Sequence, residues 1–141
     1  MTNAARLRPP SGGMAPPATT ALPDGTQLDL LPLARQIADE HLARHPVEIE
    51  TYGEAARAWC VHDNQHLLNW AALDLAGAVD FDAQLNWLAN VLSARGYPLE
   101  RLADDLRTAG VVLRRPPSSA ARRALADRLA AAAATLGGQA G

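Results

Sequence analysis

Residues 53–75 read GEAARAWCVHDNQHLLNWAALDL, and this stretch decides the fold. It contains no proline and, after Gly53, no glycine, so no residue in it breaks a helix. Trp59, His62, His66, Trp70 and Leu73 recur at intervals of three and four residues, which places them on one helix face, with Leu67, Leu68 and Leu75 flanking the stripe. The spacing predicts one long helix from about Gly53 to Leu75, ending near Gly77, with a short turn over Val47 onward before it. A helix with so broad an apolar face is stable only when other elements cover it.

The segments on either side repeat the pattern. Leu30, Leu33, Ile37 and His41 keep helical spacing; Asp29 is placed to cap that helix, Pro32 falls in its first turn, and Pro46 stops it after Arg44 or His45. Downstream, Asp80 is placed to cap a helix carrying Phe81, Leu85, Leu88, Val91 and Leu92, which Gly96 closes. Pro98 at a first helical position, with Glu100 in the first turn, opens another through Leu99, Leu102, Leu106, Val112 and Leu113 to the stop at Pro116 and Pro117. A last helix runs from Ser118 or Ser119 through Leu125 and Leu129 to Leu136, closed by Gly137 and Gly138; its narrow alanine-rich face leaves its docking open. No segment alternates with period two, and no fixed repeat occurs. The expected fold is all-α, a four-helix bundle with an additional C-terminal helix and a disordered N-terminal tail. Residues 1–26 are the Pro/Gly-rich tail, 27–113 the bundle, and 114–141 a linker and an Ala/Arg-rich helix. The expected core is Leu33, Ile37, Trp59, Leu67, Trp70, Leu73, Leu85, Leu88, Val91, Leu92, Leu102 and Leu106.

Composition bounds the function. A chain of 141 residues fits one domain plus a tail and argues against a two-domain enzyme. With 48% hydrophobic and 20% charged residues it has the material for a core, which excludes a wholly disordered chain. All 13 basic residues are arginine, a pattern of GC-rich coding, and the net charge of −2 gives no overall pull towards nucleic acid or anionic lipid. Charge is nevertheless uneven: Gln27 to Leu113 carries a balance of −7, whereas Arg114 to Arg128 carries +4. A basic last helix docked on an acidic bundle accounts for this; the segment lacks the aromatic interleaving of a nucleic-acid arm, so no nucleic-acid partner is expected. The single cysteine, Cys60, has no partner for an intramolecular disulfide. No apolar run fits a secretory signal or a membrane span, so a cytoplasmic location is expected.

The four histidines form two pairs at i, i+4, His41 with His45 and His62 with His66, each on one helix face as two ligands of one metal require. Near a helix C-terminus, His41 and His45 also favour the helix dipole. His62 and His66 share a face with Trp59 and Trp70, and either ligate a metal or stand as hydrogen-bonded interior histidines. Cys60 does not face His62 on a helix, so it reads as a small buried thiol and not as a catalytic dyad. The pairs Asp39 with Glu40 and Asp104 with Asp105 read as exposed helix faces. The His62-Asp63 dipeptide is similar to the motif of metal-dependent HD phosphohydrolases. With His45 (or His41) before it and Asp104 or Asp105 after it, such a set would hold a divalent metal and activate water against a phosphate ester.

Tyr52-Gly53, Arg57, Cys60, Asp63, His66-Leu67, Phe81, Trp87-Leu88, Leu92 and Arg95-Gly96 resemble the four-helix module attached to bacterial cobalamin-binding sensor and regulatory proteins. The resemblance spans about Leu28 to Leu113. In that class a tryptophan and a later Glu-His pair cover one face of the corrin; Trp59 stands for the tryptophan here, while Asn69 and Trp70 occupy the places of the pair. The resemblance implies a bundle that senses, binds or docks and does not itself catalyse; the cofactor is left open, a tetrapyrrole of the corrin type or a metal being compatible and neither required. The expected function is a small regulatory or ligand-sensing module acting through a bound small ligand or protein contacts, as a homodimer or with a partner. Trp59, His62, His66 and Trp70 are its expected contact surface, and His62 and His66 its expected metal ligands. A phosphohydrolase using His62 and Asp63 and a structural assembly protein are the alternatives.

Overall fold

The computed structural model describes residues 15–140, with side chains through residue 138. It opens with a hairpin: β1 (Thr19–Ala21) pairs antiparallel with β2 (Gln27–Asp29), Thr20 opposite Leu28. The turn is tied by Thr26 N donating to Asp24 Oδ1 at 2.9 Å, and Leu22 and Leu28 are buried beneath it. Residues 19–26, expected as part of the disordered tail, are therefore ordered. Three-residue strands are too short to display a period, and Leu22 and Leu28 supply the burial that holds them. Residues 1–14 of the expected tail lie outside the described residues.

Six helices follow: α1 (Leu30–Arg44), α2 (Val47–Tyr52), α3 (Ala55–Leu75), α4 (Phe81–Ala94), α5 (Leu99–Arg114) and α6 (Ala120–Ala140). The chain is thus mostly helical, with one small sheet. Asp29 and Pro46 bound α1 as expected, although the Asp29 side chain makes no capping bond. The turn expected after Pro46 is the short helix α2; it ends at Gly53, whose φ of +73° only glycine adopts freely. Asp80 caps α4 by accepting from Ala83 N, and Asp74 Oδ2 accepts from Phe81 N at 2.8 Å. Pro98 sits one place before α5, at its N-cap. Gly137 and Gly138 do not stop α6, because the register that keeps Leu136 buried continues through them.

Helix α6 packs along α5, while α1 lies against α3 and α5. Leu106, Leu113, Leu125 and Leu129 are fully buried in the α5–α6 seam and its surroundings. The two backbones run close at Gly110, where a Cβ would stand 3.4 Å from Ala126 O. The basic segment meets acids of the preceding helices: Arg128 pairs with Asp74 at 3.1 Å and Asp82 at 3.0 Å, and Arg115 pairs with Glu40. Of the expected core, Ile37, Leu67, Leu85, Leu88, Leu102 and Leu106 are buried. Leu33, Trp59, Trp70, Leu73, Val91 and Leu92 are only half-buried. Trp59, Trp70, Val91 and Leu92 fall short of burial because they line an open cleft. No helix among the described residues is long and apolar enough to cross a membrane.

Candidate functional site: an aromatic cleft between two helices

The gap between α3 and α4 forms a cleft of about 880 Å³. One wall is a ladder of rings up the face of α3. Trp59 meets His62 edge-on at 5.3 Å between ring centres, His62 meets His66 edge-on at 4.9 Å, and His66 stacks on Trp70 at 5.5 Å. The opposite wall is Gln84, Trp87, Leu88 and Val91 of α4. Trp87 is 59% exposed, a large apolar group left in solvent at the cleft mouth. The four residues expected as a contact surface therefore line one cleft, and all 3 tryptophans of the chain are in it.

Burial, and then the neighbouring His62, lower the pKa of His66, so this imidazole is neutral at pH 7 and keeps a lone pair. His62 Nδ1 lies 3.1 Å from Asp63 Oδ1. The floor of the cleft is polar. Glu48 Oε2 lies 2.7 Å from His41 Nε2, and the Tyr97 hydroxyl donates to both Glu48 oxygens at 3.1 and 3.0 Å. Asn64 Nδ2 donates to Asp105 Oδ1 at 2.9 Å, and the Cys60 thiol reaches the same oxygen at 3.8 Å. Burial raises the Asp105 carboxyl to a pKa of about 6. Burial and the charges of Asp105, Glu48 and Asp63 push the Cys60 thiol well up, which removes it as a thiolate nucleophile at neutral pH. Burial opposes charge on His41, but the Glu48 hydrogen bond and the carboxylates of Asp105 and Asp104 outweigh it and raise its pKa.

Two sequence expectations are corrected here. Asp104 and Asp105 are not a solvated pair: Asp105 is buried under the cleft, and Asp104 Oδ2 lies 2.7 Å from His45 Nε2. Cys60 is not enclosed in the core but half-buried on the cleft wall. His41 and His45 stand at the C-terminal end of α1 as expected, His41 in its last turn and His45 at its C-cap, and are in addition engaged by the carboxylates of Glu48 and Asp104. Among the described residues, the group of three that brings potential metal ligands within 4.8 Å of one another is His41, His45 and Asp104. His62, Asp63 and His66 are not in it; they stand together on the cleft wall. Sequence reasoning passed over Glu48, Asn64, Tyr97 and the placement of Trp87. For Trp87 a signal existed: it lies off the Leu85, Leu88, Leu92 stripe of α4, where a tryptophan buys no core contact.

The cleft thus joins aromatic and apolar walls, which also carry the polar side chains of His62, Asp63, His66 and Gln84, to a polar floor of Glu48, Asn64, Tyr97 and Asp105, the mixed lining of a small-molecule pocket. Comparison with known proteins finds no matching family model, no similar curated protein and no similar solved structure.

Proposed function

We propose that this protein is a small ligand-sensing helical module, with the helices arranged as a bundle, and that the cleft between α3 and α4 receives a planar conjugated ligand of the tetrapyrrole class. What carries the proposal is the gathering of all 3 tryptophans, with His62 and His66, around one cleft of about 880 Å³. Trp59 and Trp70 on α3 and Trp87 on α4 would supply the aromatic contacts to such a ligand. Asn69 and Trp70 stand where the cobalamin-sensor class has its Glu-His pair. Neutral His66 is the group that would ligate a ring-bound metal, since the neutral imidazole is the ligating form.

Because every tryptophan lines the cleft, intrinsic fluorescence reports on it alone. Titrating the untagged chain with haem, a corrinoid and a metal-free porphyrin is expected to quench emission at one equivalent for at least one of them. Trp59→Ala should weaken that binding by at least about tenfold, the loss of one aromatic contact. Absence of saturable quenching by all three compounds overturns the proposal. A second reading, docking of a protein partner on the same face, is favoured by the exposure of Trp87. It predicts a tighter self- or partner-association that Trp87→Ala abolishes, read by light scattering.

A further inference from the structure

Outside the aromatic cleft, α1 and α5 bring together two imidazoles and a carboxylate. The rings of His41 and His45 lie 4.7 Å apart between centres, and His45 Nε2 is 2.7 Å from Asp104 Oδ2. His41 is 1% exposed and its Nε2 is fixed by Glu48 at 2.7 Å, leaving Nδ1 buried with no hydrogen-bond partner and Asp105 Oδ1 3.9 Å away. A buried polar atom without a partner calls for an explanation, and an ion or a water is one that supplies the missing bond. In a neutral imidazole whose one nitrogen donates to a carboxylate, the other carries the lone pair, which is how outer carboxylates prepare metal-ligating histidines.

We propose that His41, His45 and Asp104 form a binding site for a borderline divalent transition metal, Zn²⁺ or Co²⁺, with Glu48 as the outer carboxylate that orients His41. One ligand atom from each of the three lies within 4.8 Å of the others. Two ligands of one tetrahedral Zn²⁺ stand roughly 3.3 Å apart; the ion would replace the proton between His45 and Asp104, opening their 2.7 Å contact while the wider gaps of the group close. Two imidazoles and one carboxylate are the donors such ions take, with a position left open. Arg44 at 3.3 Å and Arg107 at 3.9 Å approach Asp104 through Oδ1, whereas its Oδ2 faces His45. His45 and Asp104 also line a second cavity of about 770 Å³, together with Arg44, Arg101, Arg107 and Glu100. The site does not depend on the aromatic cleft taking a ligand.

The test is titration of the untagged full chain with Co²⁺ and Zn²⁺, followed by calorimetry and Co²⁺ ligand-field absorption. One saturable equivalent is expected, lost in His45→Ala and in Asp104→Asn, weakened about 10–100-fold in Glu48→Gln and unchanged in a His62→Ala, His66→Ala double variant. Histidine ¹⁵N spectra of the wild-type chain give a readout that needs no variant: Zn²⁺ should shift His41 and His45 and leave His62 and His66 in place. No saturable binding, binding that survives both His45→Ala and Asp104→Asn, or shifts confined to His62 and His66 overturns the proposal.

Discussion

At the scale of single residues, burial decides which titratable groups are usable. His66, enclosed by Trp70 and His62, has its pKa lowered from 6.5 by burial first and by His62 second. In the pH range just below 6.5 the unfolded chain therefore binds more protons than the folded one. Stability tied to neutral His66 is full above about pH 6.5 and falls as the pH drops through and below that value. Two measurements check it: the His66 ring resonance should titrate below 6.5, and His66→Gln should reduce this acid-side loss. Trp87 offers the opposite case. With 59% of its surface in solvent, Trp87→Ala should change unfolding free energy by less than about 0.5 kcal/mol while reducing the fluorescence response to ligand.

At the scale of elements, Asp74 is the joint between α3, α4 and α6. Its Oδ2 accepts from the first amide of α4, and its Oδ1 accepts from Arg128 Nε at 3.1 Å, while the guanidinium lies over the Phe81 ring at 5.1 Å. Asp74→Ala should destabilise the protein by about 2 kcal/mol in urea unfolding, the loss of a helix-end acceptor and a charge-assisted bond together. The Arg128 hydrogen bond, with the Phe81 amide, lowers the pKa of this carboxyl from 3.8. Its contribution is therefore present above about pH 3.8 and is lost as the pH falls through the lower folded-state value, so the gap between wild type and Asp74→Ala should narrow at acid pH. In α6, Leu129 is fully buried against the rest of the chain. Leu129→Ala should cost about 2–5 kcal/mol, which separates a docked helix from a free one in a single unfolding curve.

Across the whole molecule, burial is unevenly shared between the two walls and the floor of the cleft. Helix α5 buries nine residues, from Leu102 to Leu113, whereas α4 buries Phe81, Leu85, Leu88 and Ala89. Local opening follows buried area, so amides of α4 should exchange with solvent at a lower free energy than those of α5. Hydrogen exchange with peptide resolution checks this, and a saturating cleft ligand should slow α4 more than α5. A cleft wall with little burial of its own can move without disturbing the α5–α6 seam.

The helical class and the helix borders were written in the sequence, because proline, glycine and capping residues act locally: Pro46, Gly53, Asp80, Gly96 and Pro116 each stand at a break in the structure. So was the gathering of Trp59, His62, His66 and Trp70, since helical spacing alone puts them on one face. The charge reversal after Arg114 was compatible with a docked last helix but left the docking open, and the burial of Leu125 and Leu129 decided it. Tertiary structure decided the rest. The hairpin at Thr19–Asp29 is held by Leu22 and Leu28 against distant residues, which no local period reveals. That the tryptophan face opens on a cleft and is not sealed depends on how far α4 stands from α3. The engagement of His41 by Glu48, of His45 by Asp104 and of Asn64 by Asp105 depends on α1, α3 and α5 meeting. Local order follows from neighbours along the chain, but the burial that sets a pKa or gathers ligands arises only when separate elements pack.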